Sequence, residues 1–192
     1  LTGTGTPAGG RFIAVSKSPL TGAIANSCCG GYFGARLKFT GYDLLIIEGK
    51  SPNPVYLFIR DDMVEIRPAE HLWGKPTTET ESLLRAEMER EFDVWEASEA
   101  SVVSIGPAGE NLVKFACIMS DGGRASGRSG LGAVMGSKNL KAIIASGTGE
   151  VTIADIDGFK KAVMDFLKEP RENKELEKRS MWGTWSLPGR AN

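Results

Sequence analysis

Between Asp121 and Ile143 the chain gathers six glycines, two arginines and two lysines, then runs into an apolar stretch. Glycine lets a backbone come close to a ligand and adopt positive φ. Successive N–H groups in such a loop, above all where it opens a helix, form an anion-binding concavity. Arg124 and Arg128 add planar, bidentate donors suited to phosphate oxygens. The chemistry on offer is that of a site for a phosphorylated cofactor. It is not a Walker A loop, since no Gly-Lys-Ser/Thr closes the six-residue frame. Nor does a Gly-x-Gly-x-x-Gly follow a strand in a βαβ unit.

The other reactive residue types point to less. Cys28 and Cys29 are adjacent, whereas cysteines that share a structural metal are usually separated by two residues, so small, weakly polar packing near a ligand is expected. Cys117, in an apolar run, is expected in the core. His71, the one histidine, shows no catalytic partner in the sequence. Lys138 and Lys141 are expected on the surface near the loop, and Glu110 and Asn111 are expected to brace it. The charges from Glu79 to Glu91 read as a solvated helix face.

These residues need elements to position them. Arg11 to Ser16, Ser101 to Ile105, Phe115 to Met119 and Leu140 to Ala145 read as strands, and Asp43 to Glu48 as a buried strand closed by Gly49. Val55 to Arg60 and Met63 to Arg67 predict a hairpin across Asp61–Asp62. Helices are expected over Tyr32 to Phe39, from a Thr78/Glu81 capping box to about Glu91, from Gly130 to Lys138, and from Asp155 as cap through Lys168. Pro170 to Arg179 reads as a charged, mobile connector. Residues 1–150 are expected to form one domain and 151–192 a helix and connector leading onward.

Composition narrows the classes. A formal net charge of −1 supplies no field for nucleic acid or an anionic membrane. No apolar run approaches the ~18 residues needed to cross a bilayer. Three cysteines, two of them adjacent, make no disulfide framework, which favours a reducing cytoplasm. Leu1 in place of a start Met, and an aromatic segment from Met181 to Gly189, read as part of a longer polypeptide.

The glycine-rich zones repeat one another. Gly34–Ala35, Leu44–Ile47 and Gly49 match Gly132–Ala133, Ala142–Ala145 and Gly147 at a constant shift of 98 residues. Pro7-Ala-Gly9 recurs as Pro107-Ala-Gly109 at a shift of 100. The expected fold is therefore α+β, with duplicated strand–helix–strand halves (about 1–70 and 100–150) related by a pseudo-twofold.

Several motifs carry a resemblance: Leu1-Thr-Gly-Thr, Gly9-Gly-Arg11, Lys17 to Gly22, Gly30 to Gly34, Leu37-Lys-Phe39, Ser104 to Phe115 and Gly132 to Ala142. Together they resemble the N-terminal domain of the tungsten-containing aldehyde:ferredoxin oxidoreductases. The resemblance implies oxidation of aldehydes to carboxylic acids, with ferredoxin as electron acceptor. It implies a tungsten (or molybdenum) bis-pterin whose phosphates are bridged by magnesium. It also implies a [4Fe–4S] cluster bound mainly by a C-terminal part of the chain, with the remainder of that chain as a partner and a homodimer as one assembly open to it. No nucleic acid or membrane partner is expected, and the piece alone should be inactive. Relatives act on other substrates such as aromatic acyl-CoA. From another class, a phosphate- or nucleotide-binding module without redox function is the alternative.

By the same resemblance, Arg11 corresponds to an arginine between pterin and cluster. Cys28, Cys29, Gly30 and Gly31 fall in the first pterin loop, and Arg124, Ala125, Gly127 and Arg128 in the second. Main-chain carbonyls of Cys28 and Ala125 would face the magnesium, which favours oxygen ligands. Where the family usually has Asn or Ser, this chain has Cys28–Cys29, so Asn26–Ser27 is an alternative register for the first loop.

Overall fold

The computed structural model describes residues 1–7, 9–172 and 174–183. The chain divides into two compact units, Leu1–Thr4 with Ala8–Val151 and Gly5–Pro7 with Thr152–Asn192. The larger begins with an antiparallel hairpin, β1 (Phe12–Lys17) and β2 (Ile24–Cys29), followed by helix α1 (Phe33–Phe39). Next come β3 (Val55–Arg60), β4 (Met63–Pro68), α2 (Thr77–Glu91), α3 (Val94–Glu99) and β5 (Ser101–Ser104). The second glycine zone supplies α4 (Pro107–Glu110), β6 (Ile118–Ser120), β7 (Arg124–Ser126), α5 (Leu131–Ser137) and β8 (Leu140–Ser146). The smaller unit holds α6 (Ile156–Glu172) and α7 (Lys174–Trp182).

Six strands form a mixed sheet in the order β4-β3-β8-β5-β6-β7. β8 runs parallel to β3 and antiparallel to β5, and all seven of its residues are buried. That explains its near-continuous apolar sequence, since a strand covered on both faces has no solvent side to leave polar. Successive side chains then serve opposite faces. Ala142 and Ile144 join Phe58, Val102, Leu72, Leu84 and Met88 in a core under α2 and α3. Ile143 and Ala145 join Ile59, Val103, Phe33, Leu37, Leu131 and Met135 in a core under α1 and α5. Each fully buried Leu, Ile or Met contributes about 1.5–3 kcal/mol.

The α2–α3 corner is pinned by a stack as well as by burial. Arg67 lies 3.8 Å over the Phe58 ring, Phe58 stacks on Phe92 at 5.8 Å, and Arg60 caps Phe92 at 4.4 Å. Arg60 also makes two 2.7 Å bonds to Glu96, and Arg67 two to Glu91. Hydrogen bonds from Arg67 hold the Glu91 carboxyl below the usual carboxylate range.

Several expectations change. Residues 43–48 form no strand, and Leu44 and Ile46 are 70% and 77% exposed. A strand needs a ladder partner as well as apolar residues, and both edges of β3 are taken by β4 and β8. The helical part of the repeat recurs, with Gly34–Ala35 and Gly132–Ala133 both in the first turn of a seven-residue helix, but the strand part does not. Of the Pro-Ala-Gly match, Ala8 lies outside the described residues. Thr78 does not cap α2, whose N-cap is Pro76 with no side-chain bond. Cys117 precedes β6 and is only half-buried, its thiol turned to the Phe115 carbonyl. Asp155 does cap α6, accepting from the Gly158 N–H at 2.9 Å. The chain around Pro170 to Arg179 falls within α6 and α7, although Asn173 lies outside the described residues. The aromatic segment beyond Gly183 lies outside them too.

Lys141 is the clearest correction. Expected on the surface, it is wholly buried on β8 and paired with Glu110, itself 4% exposed. Lys141 Nζ also donates to the Lys75 carbonyl at 2.8 Å, and Glu110 accepts the Gly74 N–H at 2.9 Å. Glu110 does brace the second half, but by anchoring α4 and the turn after β4 to the central strand. α5 completes that packing through glycine, since a Cβ at Gly132 or Gly136 would collide with the backbone of Cys117 or Gly109.

Candidate functional site: two glycine loops and three arginines

β2 ends at Cys28–Cys29 and passes through Gly30–Gly31 into α1. Its sequence, Ile24 to Cys29, is small and polar enough to hide a strand, but pairing with β1 holds it in register from Phe12↔Cys29 to Lys17↔Ile24. The second loop leaves β6 at Asp121, turns through Gly122 and Gly123 at φ +67° and +144°, and returns along β7. It then enters α5 through Ser129 and Gly130, both with left-handed backbone. The stretch read as pure loop thus contains a short strand.

The fold brings these loops together. Ser126 Oγ donates to the Ser27 carbonyl and the Arg128 N–H donates to Ser27 Oγ, each at 3.2 Å. Asp121 reaches across to the start of α1, accepting the Tyr32 N–H at 2.6 Å and the Phe33 N–H at 3.3 Å. Glu81 of α2 accepts the Gly122 N–H at 3.0 Å, so it serves the loop as well as the helix face. The sequence names Ser27 as an alternative register of the first loop and Glu81 as a capping partner, but the ties these two and Asp121 make between the loops are not among its expectations. Asp121 carried a signal, because an acid at the head of an anion-binding loop is out of place unless its charge is used internally.

Arg11, at the head of β1, places Nη1 3.8 Å from Cys28 Sγ. Cys29 is 1% exposed. Burial pushes its thiol pKa up, as do the charges of Asp121 and Cys28, while Arg11 and Arg124 pull it down. Both guanidiniums therefore act at the end of β2. Arg11, Cys28, Arg124, Ala125, Gly127 and Arg128 are exposed. Among the described residues, the guanidiniums of Arg124 and Arg128 have no acidic partner. His71 lies elsewhere, 2.6 Å from Glu87. Lys138 bonds the Gly49 carbonyl on the far side of α5 from Gly130.

Gly127 departs from expectation. Its backbone is not left-handed, and a Cβ there would meet only Cys117 Sγ at 3.8 Å and the Ala125 Cβ at 3.9 Å. The fold itself thus tolerates a side chain. A Cβ at Gly30, Gly122 or Gly123 would meet nothing within 4 Å. These glycines border open space, beside which stand three arginines. That fits a phosphorylated group in two respects, close backbone approach and positive charge from guanidiniums in one place, while the Gly122, Gly123 and Arg128 amides are taken by Glu81, Ser120 and Ser27. No cluster of three or more His, Cys, Asp or Glu able to hold a metal occurs among the described residues. A separate apolar cavity of about 730 Å³ lies between the hairpin, α1 and α5, with Arg11 at its edge. No described helix is long and apolar enough to cross a membrane.

Comparison with known proteins gives the chain a family. The family described as aldehyde ferredoxin oxidoreductase, N-terminal domain, matches residues 1–147. The tungsten-containing aldehyde ferredoxin oxidoreductase of Pyrococcus furiosus is 53% identical over 173 residues, covering 90% of this chain and 27% of its own length. That of Thermococcus kodakarensis is 52% identical with the same coverage. A Pyrococcus furiosus aliphatic sulfonate oxidoreductase, WOR-like subunit, is 42% identical over 88% of this chain and 28% of its own. Among solved structures, the active site complex BamBC of benzoyl coenzyme A reductase with 1,5-dienoyl-CoA gives a TM-score of 0.81. Its identity is 39%, over 90% of this chain and 26% of that one. The chain spans about a quarter of the length of these relatives. With the match running through both glycine loops and the helix after each, the chain belongs to the aldehyde ferredoxin oxidoreductase family, whose N-terminal domain it carries.

Proposed function

We propose that the chain is the cofactor-cradling part of an oxidoreductase that converts aldehydes to carboxylic acids and passes the electrons to ferredoxin. One observation carries the reading. Loops about a hundred residues apart in sequence are tied together beside Arg11, Arg124 and Arg128, with open space over Gly30, Gly122 and Gly123. A tungsten bis-pterin, when bound, supplies the two-electron redox chemistry. The chain supplies binding and charge. The first loop, Cys28 to Gly31, would take one pterin phosphate and the second, Arg124 to Arg128, the other. The carbonyls of Cys28 and Ala125 would face a bridging magnesium. A pseudo-twofold relation between α1 and α5 would suit a cofactor with two equivalent pterins. The guanidinium of Arg11 would stabilise a reduced, more negative [4Fe–4S] cluster. The cluster ligands and substrate pocket are assigned to the rest of a longer polypeptide.

A second reading is favoured by the likeness to the benzoyl-CoA reductase complex, under which the same cradle would serve reduction of an aromatic acyl-CoA. Full-length protein made anaerobically tests both. The reading expects tungsten and pterin bound in a fixed ratio to polypeptide, with electrons passed from aldehyde to ferredoxin. Turnover of acyl-CoA in place of aldehyde would favour the second reading. Absence of bound metal and pterin would leave a phosphate-binding module without redox function.

A further inference from the structure

Asp121 is the unexplained charge of the site. It stands at the entrance of a loop read as anion-binding, where a free carboxylate would repel a phosphate. Its four contacts resolve the contradiction. Oδ2 accepts the Tyr32 N–H at 2.6 Å, the Phe33 N–H at 3.3 Å and the Ser120 hydroxyl at 2.9 Å. Oδ1 accepts the Ser101 hydroxyl. Ser101 and Ser120 are 1% and 2% exposed and lie on β5 and β6, so the carboxylate is fixed to the sheet. Its charge is consumed by protein donors, two of them orphan amides at the start of α1 that no intrahelical carbonyl can satisfy.

The geometry is two-sided. The side chain of Asp121 holds the exit of the first loop, while its own backbone, at φ +44°, begins the second. Aspartate tolerates that left-handed conformation better than most residues. On the facing side, Gly31 has φ +106°, and a Cβ there would collide with Asp121 Oδ2. The contact thus needs a glycine on one side and a short carboxylate on the other.

We propose that Asp121 is the positioning residue that locks the two cofactor loops to each other, so that the cradle is set before its ligand arrives. The loops are taken as the cradle on the reading above; the lock itself stands on the contacts just described. Without it, among the described residues, the hydrogen-bonded link to the second loop is left to Ser27 of β2, just before the first.

The test is backbone amide exchange of the full-length protein, purified without cofactor from tungsten-depleted cultures. D121A and D121G should speed exchange of the Tyr32 and Phe33 amides about tenfold or more, as loss of a charge-assisted bond implies. Exchange should also quicken through residues 121–130, with β3 and β8 unchanged. D121G relieves the backbone strain that alanine would suffer at positive φ, so agreement between the two assigns the effect to the side chain. D121N keeps an acceptor for both amides and should restore protection. Exchange raised evenly across the sheet, or unchanged at Tyr32 and Phe33, overturns the lock, and the cradle reading is then judged on its arginines alone. Loosened loops with normal tungsten loading in tungsten-replete cells support the lock and contradict the cradle reading. Loosened loops with reduced loading support both.

Discussion

At the residue scale, the end of β2 sets two neighbouring thiols in opposite environments. Cys28 is exposed beside Arg11, whereas Cys29 is buried and its pKa is raised first by desolvation and then by Asp121. Thiolate is the nucleophile, so raising the pKa lowers reactivity, and burial lowers it further. Alkylation by iodoacetamide, followed by peptide mass spectrometry, should therefore mark Cys28 well before Cys29 in native protein. The labelling rate of a free Cys29 would rise with pH towards ~8.5 and level off above it. In the folded chain that rise should come later. Because the folded value is the higher one, the Cys29 contribution to stability is fully present below the unfolded pKa and is lost as pH rises through the folded one. Equal labelling of both thiols would contradict the burial. Arg11 makes its other prediction through charge. Arg11→Ala in the full-length protein should leave folding intact, since the side chain is exposed and bonds Cys28 Sγ at 3.8 Å, and should slow ferredoxin reduction, measured by stopped-flow absorbance.

Among elements, the central strand β8 decides most of the architecture, and its one charged side chain is the most exposed to experiment. Lys141 and Glu110 are both buried, and removing one leaves the other uncompensated. Lys141→Met should cost about 3–5 kcal/mol in denaturant unfolding, whereas Lys141→Met with Glu110→Gln should recover part of that loss. A single substitution costing less than the double would contradict the pairing. This residue also shows where the sequence was legible and where it was not. Val55 to Arg60 and Met63 to Arg67, either side of Asp61–Asp62, read directly as the hairpin that forms, which runs one residue further to Pro68. Leu140 to Ala145 likewise reads as a strand, and β8 extends it to Ser146. That its lysine must be buried follows only once strands are known to flank it on both sides. The run Leu44–Ile47 fails for the converse reason, because its composition favours a strand but it pairs with no other strand, both edges of β3 being held by β4 and β8. β2 was hidden because Ala25 to Cys29 lack the bulk that marks a strand, and its partner β1 alone defines it. At the site, the arginines and glycines could be found by type and Asp121 stood out as a misplaced acid, but its partners, like those of Ser27 and Glu81, lie about 40 to 100 residues away in sequence, which no local pattern reports.

For the whole molecule, the central claim is that the loops at Cys28–Gly31 and Arg124–Arg128 cradle a phosphorylated metal cofactor. The structure separates this claim from folding unusually well at Gly127, where the fold leaves ordinary space for a side chain. Gly127→Val should therefore preserve the fold, as should Arg124→Ala and Arg128→Ala, whose guanidiniums have no acidic partner among the described residues. Each lost arginine removes charge-assisted bonds of about 1.5–3 kcal/mol to a phosphate. The decisive measurement is tungsten and pterin content per polypeptide in full-length variants purified anaerobically, read beside circular dichroism to verify folding. The account predicts native spectra with loading reduced about tenfold or more in each variant. Full loading in all three would show that the loops are not the cradle.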